Sequence, residues 1–348
     1  MALMKILVTG ATGFVGYHVA RKIAEKKLGE VYCLARPSSD RRFISKLPVK
    51  FHEGDLRDRD SLEVAMDGCG ALFHVAADYR LWSKDPQELI DSNVTGTENV
   101  LKAAARAGVK KIIYTSSVSA VGRPEPRSGS HAPAGRDREE WEKKFTGDET
   151  LDPTREQLIG PYKKSKYFAE LACRKFAKEG MNLVVVNPST PVGSHDSKPT
   201  PTGKLILDFL KRKMPAYLDT GLNLVDVDDV AEGHVLAFQK GKAGERYILG
   251  NRNLMLKEIL EILGKITGLP APRIKIPYWV AYASGAVSTA LSGLTGKAPA
   301  IPLDGVRMAR EIMFYGSTKA VRELGMPQSP VEPALEKAVK FFRENSYV

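Results

Sequence analysis

The stretch Thr9-Gly10-Ala11-Thr12-Gly13-Phe14-Val15-Gly16 decides the fold. It separates an apolar run over Lys5–Thr9, typical of a buried strand, from a helical pattern that extends from about Val15 to Lys27. Glycines at every third position allow a sharp turn, close approach of the backbone to a pyrophosphate, and tight packing of helix on strand. The helix N-terminus adds free N–H groups and a favourable dipole. The stretch therefore predicts a dinucleotide-binding turn; the alternative is a tight turn without a ligand.

Short apolar runs alternate with helical patterns through the first half of the chain. After the first strand, the pattern predicts strands over 30–35, 50–53, 71–75, 111–115 and 181–187, and helices near 61–67, 86–107 and 162–179. Such alternation is typical of a parallel sheet that helices cover on both faces. The predicted fold class is therefore α/β, a Rossmann-type doubly wound parallel sheet, with a smaller, mostly helical C-terminal substrate lobe.

Two regions interrupt this rhythm. Residues 123–150 are rich in Pro, Gly, Ser and charge, which predicts a long loop with a short helix around Glu139–Lys144. Several prolines between 187 and 220 indicate irregular structure. Beyond them the pattern predicts strand, helix and strand over 223–249, then helices over 256–267, 278–292, 303–313, 317–324 and 331–344.

Composition narrows the function classes. The net charge is +11, from 52 Lys and Arg against 41 Asp and Glu, but the basic residues are scattered, which favours a solvated surface over a nucleic-acid footprint. Cys33, Cys69 and Cys173 are too widely spaced for a disulfide framework or a zinc site, and the histidines show no metal-ligand spacing. No secretory signal is recognisable, so the expected location is the cytoplasm.

The segment 276–296 contains no charged residue. Its length would suffice to span a membrane, but Pro277, three glycines and many Ser and Thr residues lower its hydrophobicity. The composition favours a buried or lid-forming helix; contact with a membrane surface is the alternative, and a true span is the least favoured reading.

The residues at the end of the second strand indicate which of NAD(H) and NADP(H) binds. An acidic residue there would bind the ribose 2′-OH of NAD, whereas this chain has Arg36, whose positive charge suits a 2′-phosphate. NADP(H) is therefore favoured. NAD(H) stays open, because an arginine can stack on adenine in either cofactor. Asp55 and Leu56, after the third strand, could hold the adenine edge; alternatively, Asp55 only belongs to a helix N-terminus.

Tyr162 and Lys166 stand four residues apart, which places them on one face of a helix. A nearby ammonium favours the phenolate, so Tyr162 could act as acid or base, and Lys166 could also bind the nicotinamide ribose. Ser117, just after the fifth strand, could bind the same substrate oxygen, with Ser116 as the second choice. The alternatives are a surface tyrosine beside a lysine, and hydroxyls that only cap the strand end.

Together these residues closely resemble the extended short-chain dehydrogenase/reductase (NAD-dependent epimerase/dehydratase) family. Within it the chain is similar to the dihydroflavonol-4-reductase-like branch and, most closely, to the hopanoid-associated sugar epimerase group. The motifs that carry the resemblance span nearly the whole chain: Thr9–Gly16, Asp55, His74–Ala77, Asn93–Thr97, Ser117, Tyr162–Lys166, Asn187–Ser189, Val227–Ala231 and Lys319–Gly325. The sequence departs from the subgroup in the long charged loop 123–150 and in Asp226, where a His is common.

The resemblance implies a cofactor domain of 1–186 plus 221–250 and a substrate lobe of 187–220 plus 251–348, with a small-molecule site between them. It adds Ala76, Ala77, Asn93, Thr115, Pro188 and Ser189 to the cofactor contacts, beside Tyr162 and Lys166. Tyr79, Arg80, Trp82, Thr190 and Val192 would line the substrate pocket with Ser117. A homodimer would form through the helices near 86–107 and 162–179.

Three functions follow from this site. The first is an NAD(P)-dependent reductase that moves hydride between nicotinamide C4 and a carbinol or ketone carbon, with Tyr162 as acid or base. The second is a nucleotide-sugar epimerase or dehydratase that uses bound NAD. The third is a dinucleotide-sensing protein without turnover. The substrate would be a sugar nucleotide or a greasy alcohol or ketone, and the uncharged segment 276–296 favours the greasy class.

Overall fold

β1 (Lys5–Thr9) is an inner strand of a seven-stranded parallel sheet in the computed structural model, which describes residues 3–124 and 136–348. The other strands are β2 (Glu30–Ala35), β3 (Lys50–Glu53), β4 (Cys69–His74), β5 (Lys111–Thr115), β6 (Leu183–Pro188) and β10 (Arg246–Leu249). The order across the sheet is β3-β2-β1-β4-β5-β6-β10, with every pair parallel. The strand order reverses between β1 and β4, where such sheets bind ligands.

Helices cover both faces of this sheet. On one face α1 (Phe14–Glu25) packs against α8 (Val227–Lys240); on the other lie α2 (Arg59–Met66), α4 (Gly96–Arg106) and α6 (Gly160–Lys178). Side chains of β1 alternate between the two cores: Ile6 and Val8 belong to one hydrophobic cluster and Leu7 to the other. Burial on both sides explains why the inner strands β1, β4, β5 and β6 are mostly apolar, and the predicted doubly wound fold is confirmed.

The remaining strands build a second, smaller sheet. β7 (Thr190–Val192), β11 (Arg252–Met255) and β13 (Ile312–Met313) all pair with β9 (Gly221–Asp226). Over this sheet lie α7 (Pro201–Leu210), α9 (Leu256–Thr267) and α12 (Val331–Glu344), whose buried side chains form a separate core with that of Leu224. β8 (Ala216–Tyr217) and β12 (Ile274–Lys275) form a short parallel pair. The predicted domain boundaries stay a prediction.

Several predicted elements differ from the structure. The region 187–220 is not irregular throughout, because Thr200 caps α7: its Oγ accepts a hydrogen bond from Gly203 N at 3.1 Å. The predicted helix 303–313 is wrong in its second half. α11 (Leu303–Met308) ends early, and Ile312 and Met313 pair with β9 instead.

Other predicted helices need smaller corrections. Predicted helix 86–107 is α3 (Pro86–Ile90) and α4 joined by a π-helical turn over Asp91–Thr95. The short helix predicted at 139–144 is confirmed and is longer, as α5 (Arg136–Phe145). The part of the predicted loop at 125–135 lies outside the described residues.

The uncharged segment forms α10 (Tyr278–Thr295). The prediction of a buried helix is wrong for most of it, since only Ala281, Gly285 and Ser292 are buried. Among the described residues, no helix combines the length and apolar character needed to cross a membrane.

Candidate active site

The glycine loop joins β1 to α1 so tightly that side chains would not fit. Gly10 has φ +73°, and a Cβ on it would lie 2.6 Å from the backbone N of Ala76. A Cβ on Gly16 would lie 2.1 Å from the carbonyl oxygen of Gly10. Both distances are impossible contacts, so glycine is required at each position. The turn brings the first N–H groups of α1 to the crevice between β1 and β4, where a phosphate can approach them.

Thr9 ties the glycine loop to the end of β4. Its Oγ accepts from Ala76 N at 3.2 Å and pairs with His74 Nδ1 at 2.7 Å, while His74 Nε2 lies 3.1 Å from Thr97 Oγ. Burial lowers the pKa of His74 to about 3, so the imidazole stays neutral and can both donate and accept. The motif residues Thr9 and His74 thus fix the two loops that flank the crevice.

A cleft of about 980 Å³ opens at the carboxyl ends of the strands. It extends from Arg36 beside β2 to Tyr162 on α6, and it continues towards α11. The predicted cofactor residues that line it are Gly10, Thr12, Gly13, Phe14, Val15, Gly16, Arg36, Asp55, Leu56, Ala76, Ala77, Thr115, Tyr162, Lys166, Pro188 and Ser189. The buried hydroxyls of Ser116 and Ser189 face it, and among the described residues they have no hydrogen-bond partner. The cleft therefore suits a large ligand with polar groups, such as a dinucleotide.

Tyr162 and Lys166 lie on the first turns of α6 and both line this cleft, as their spacing predicts. Tyr162 is half-buried, while Lys166 is buried and donates a hydrogen bond from Nζ to the carbonyl of Thr115 at 2.9 Å. Burial lowers the pKa of Lys166 to about 8. The lysine is thus positioned by the end of β5, next to the tyrosine that would exchange the proton.

Ser117 lies at the end of the same strand. Its hydroxyl is 2.6 Å from that of Ser119 and accepts from Ser119 N at 3.1 Å, and its carbonyl accepts from Asn187 Nδ2 at 3.0 Å. Asn187 also donates to the buried carboxylate of Glu170 at 2.7 Å. The serine is therefore oriented by its own turn and by a buried polar network that reaches α6.

Behind this network, Glu170 holds two arginines. Its carboxylate accepts from Arg246 at 3.0 Å and from Arg174 at 2.7 Å. Each charge of this Glu170 cluster has a partner of opposite sign, which offsets the cost of burial. Sequence reasoning missed Glu170, although its position four residues after Lys166 places it on the same face of α6.

Asn93 is a predicted cofactor contact that the structure assigns differently. It is buried in the π-helical turn before α4, outside the described lining of the cleft. Its side chain accepts from Asp78 N at 2.7 Å and donates to Asp78 O at 2.8 Å and Ser165 Oγ at 2.9 Å. Asn93 therefore positions the loop after β4 against α6, and its direct contact with a cofactor stays a prediction.

At the other end of the cleft, Asp55 has an ion-pair partner among the described residues and Arg36 does not. Asp55 is paired with Arg57 at 3.0 Å, and the hydrogen bonds from Arg57 lower the pKa of Asp55. Arg36 is exposed and has no ion-pair partner within residues 3–124 and 136–348. Its guanidinium is therefore available to an anionic group of a ligand.

The predicted substrate residues divide into two groups. Tyr79, Arg80, Thr190 and Ser117 line the cleft, whereas Trp82 and Val192 do not belong to its described lining. Val192 is buried in the second core under α7 and α12, and Leu81, the neighbour of Trp82 in the chain, lines the cleft beside Gly305. Burial raises the pKa of Tyr79 to about 12, so its hydroxyl stays protonated, and it donates a hydrogen bond to the carbonyl of Lys198 at 2.8 Å.

Further residues that line the cleft were not predicted from the sequence, and most of them lie on the second sheet and on the helices beside it. They are mostly apolar and comprise Leu81, Leu205, Leu222, Leu256, Met308, Met313 and Tyr315, with Lys163 among them. Lys163 is buried and pairs with Glu311 at 2.9 Å, and Glu311 also pairs with Arg123 at 2.9 Å. Apart from Lys163, which lies within the Tyr162–Lys166 motif, no local motif marks these positions, because they come together only in the folded chain.

A sequence model of the NAD dependent epimerase/dehydratase family matches residues 6–250. The chain belongs to that family. The match covers the glycine loop, the Tyr162–Lys166 pair and the whole seven-stranded sheet.

Relatives in this epimerase/dehydratase family align along the full chain. A putative dihydroflavonol 4-reductase of Synechocystis sp. is 46% identical over 345 residues, covering 98% of this chain and 95% of the relative. Sterol demethylase protein B of Methylococcus capsulatus is 32% identical, covering 99% and 100%. The crystal structure of gox2253 superimposes with a TM-score of 0.81 at 43% identity, covering 98% of both chains.

These similarities confirm the predicted family, fold class and enzyme class. The protein is an NAD(P)-dependent oxidoreductase of the extended short-chain dehydrogenase type, acting on CH–OH or carbonyl groups. The family as a whole is NAD dependent, which leaves the choice between NAD(H) and NADP(H) to the residues of this site.

Proposed function

We propose that this protein is an NADPH-dependent reductase of an apolar ketone or aldehyde. The observation that carries the proposal is Arg36, an exposed, unpaired guanidinium at the place where an acidic residue would bind the ribose of NAD. The name of the Synechocystis relative, a putative dihydroflavonol 4-reductase, supports a reductase.

A second cation supports the same cofactor. Lys198 lines the cleft, is exposed, and has no ion-pair partner in the described parts of the chain. It lies near enough to Asp40, in the loop after Arg36, to add to the lowering of that carboxyl's pKa, which hydrogen bonds from Arg42 mainly cause. Two unpaired cations at the adenosine end of the cleft suit a 2′-phosphate.

Two other cations that line the cleft, Arg80 and Lys163, are already paired with carboxylates. Arg80 pairs with Asp78 at 2.5 Å and with Glu88 at 3.1 Å, and Lys163 pairs with Glu311. A substrate pyrophosphate would have to compete with these carboxylates. The surrounding apolar side chains from Leu81, Leu222 and Met308 favour a substrate with little charge. The name sterol demethylase protein B, given to the second relative, agrees with an apolar substrate class.

The proposed mechanism assigns one task to each side chain. The nicotinamide, when bound, supplies or accepts the hydride. Tyr162 gives its hydroxyl proton to the substrate oxygen, and Ser117 donates a hydrogen bond to the same oxygen as its charge develops. Lys166, held by Thr115, stabilises the resulting tyrosinate and binds the ribose hydroxyls. Asn93 and Glu170 keep α6 and the end of β5 in place.

Titration with NADPH and NADH, followed by fluorescence, tests the cofactor assignment. We expect NADPH to bind about tenfold to a hundredfold more tightly, since a charge-assisted hydrogen bond contributes roughly that factor. Arg36→Asp should reverse the preference. Arg155→Asp, an equal charge change on an exposed residue outside the cleft, should not.

Other outcomes of the titration would favour the other functions. Tighter binding of NADH, or NAD that stays bound through purification, would contradict the reductase and support an epimerase or dehydratase. Binding of NADPH without turnover on any carbonyl would support a dinucleotide-sensing protein.

A homodimer through α4 and α6 also stays a proposal. The exposed Phe168 and Leu171 on α6 offer an apolar contact for it.

A further inference from the structure

α10 packs onto the protein with its small and hydroxyl-bearing face. Gly285 is buried against α11, where an added Cβ would lie 3.0 Å from Val306. Ser288 Oγ and Thr289 Oγ each accept a hydrogen bond at 3.1 Å from the backbone of the segment that leads into α11, at Ile301 N and Leu303 N. Ser292 is buried and donates to Lys297 O at 2.6 Å. The polar side of the helix thus faces inward.

The large apolar side chains of α10 point outward. Trp279 is 70% exposed, Val287 60%, Leu291 55% and Leu294 86%, and Tyr282 is also exposed. At 100° per residue these five side chains share one side of the helix, together with the exposed Ala283 and Ala290. We call these five residues the outward apolar face. A helix of this length is about 27 Å long. The five side chains therefore form a continuous apolar surface, unlike single apolar residues scattered over a protein surface.

Positive charge flanks the outward apolar face at both ends. Between Glu261 and Asp304 the sequence has no acidic residue, but it has Lys265, Arg273, Lys275 and Lys297. Arg273 precedes the helix, Lys297 follows it, both are exposed, and neither has an ion-pair partner among the residues that the structure describes. Three further exposed basic residues, at 211–213, precede β8. β8 pairs with β12, the strand just before α10.

This charge pattern indicates whether a second copy of the chain or a lipid surface covers the outward apolar face. A second copy, placed parallel or antiparallel along α10, would bring one cationic end against another. An anionic lipid surface would instead complement both ends, and the protein's net charge of +11 adds to that attraction. An apolar helix face with a tryptophan and flanking cations is typical of helices that lie in the plane of a membrane interface.

We propose that α10 docks this protein on the surface of an anionic lipid bilayer, with its outward apolar face among the acyl chains. The docking does not depend on the proposed reaction. One consequence does rest on the proposed function: α11, which packs on α10, lines the cleft through Gly305 and Met308. An apolar ketone dissolved in the bilayer would therefore lie one helix away from the cleft.

Co-flotation of the full-length protein with lipid vesicles tests the docking. The vesicles are made of phosphatidylcholine alone or mixed with an equal part of phosphatidylglycerol. We expect flotation with the anionic vesicles, weaker flotation with the zwitterionic ones, and release as salt is raised. Trp279→Ser combined with Leu294→Ser should lower partitioning about tenfold to a hundredfold, since two large apolar side chains no longer enter the lipid.

Two matched controls keep the test specific. Val64→Ser removes a side chain that is 69% exposed on α2 and should leave flotation unchanged. Arg273→Glu with Lys297→Glu should abolish the preference for anionic vesicles, whereas Lys110→Glu, an exposed residue just before the amino end of β5, should not.

The proposal is overturned if the wild-type protein does not float with anionic vesicles, or if the serine double variant floats as well as the wild type. It is also overturned if light scattering shows a dimer that the serine double variant converts to a monomer, because the outward apolar face then binds a second copy. NADPH titration of the same variants keeps this result separate from the proposed reductase.

Discussion

The ammonium of Lys166 lies 2.9 Å from the carbonyl oxygen of Thr115, to which it donates a hydrogen bond. This bond fixes the first turns of α6 against the end of β5, where the substrate oxygen would be bound. The ammonium also lies 5.4 Å from the centre of the Tyr114 ring, and within the described residues no carboxylate pairs with it. Lys166 is therefore a buried cation that the fold tolerates, and burial lowers its pKa from 10.5 to about 8.

Lys166→Met should stabilise the protein at neutral pH. Below about pH 8 the lysine is charged in both the folded and the unfolded chain, so the full cost of burying the charge is present. As pH rises from 8 towards 10.5 the folded chain loses that proton first, and the cost disappears. Urea unfolding should show a gain of about 3 kcal/mol near neutral pH that vanishes near pH 10.5. Lys164→Met, an exposed neighbour on α6, should show neither effect.

A gain for Lys166→Met that is equal at all pH values would contradict this account, because it would come from apolar packing alone. The same variant should bind NADPH more weakly, since the proposed contact with the ribose is lost.

Gly16→Ala should destabilise the cofactor loop. The new Cβ would lie 2.1 Å from the carbonyl of Gly10, so the loop or α1 must shift. We expect a loss of about 1–3 kcal/mol in thermal or urea unfolding, with NADPH affinity at least about tenfold weaker. Gly293→Ala is the matched control: it is helical and exposed, with no atom within 4 Å of the added Cβ. That change should raise stability slightly, and equal losses in both variants would contradict the packing argument.

Asn93→Ala should weaken the contact between the loop after β4 and α6. It removes three hydrogen bonds and leaves the N–H and C=O of Asp78 without their partner. The free energy of unfolding should fall by about 2 kcal/mol or more. Asn345→Ala removes one hydrogen bond, from the side-chain amide to Phe341 O at the end of α12, and should cost about 0.5 kcal/mol or less. Stability unchanged in Asn93→Ala would show that the residue is not structural, and the predicted direct contact with a ligand would regain support.

The parts of the fold that follow from local pattern were predictable. The glycine loop decides its own conformation, since only glycine fits beside Ala76 and Gly10. The four-residue spacing of Tyr162 and Lys166 fixes a shared helix face whatever surrounds them. The inner strands of the central sheet are buried on both sides, so their apolar runs are visible in the sequence, whereas the edge strand β3 is only partly buried and its pattern is weaker.

The second sheet was not predictable in the same way. Ile312 and Met313 form a strand only because β9 lies beside them, about ninety residues earlier in the chain. Val192 follows a family motif, yet α7 and α12 cover it, and that packing has no local signal. The residue pairs that line the substrate side of the cleft, such as Lys163 with Glu311, are also far apart in the sequence. Non-local pairing therefore limits what the sequence alone reveals about the substrate.

The most direct test of the central claim is net oxidation of NADPH in the presence of apolar ketones, followed by absorbance in wild-type, Tyr162→Phe and Tyr167→Phe proteins. Tyr167 is half-buried on the same helix but outside the cleft lining, so it is the matched control. We predict that wild type and Tyr167→Phe oxidise NADPH at similar rates, while Tyr162→Phe is slower by about a hundredfold or more, as expected for loss of a proton donor. A Tyr162→Phe variant as active as wild type, or no net oxidation of NADPH while a nucleotide sugar is epimerised, would contradict the account.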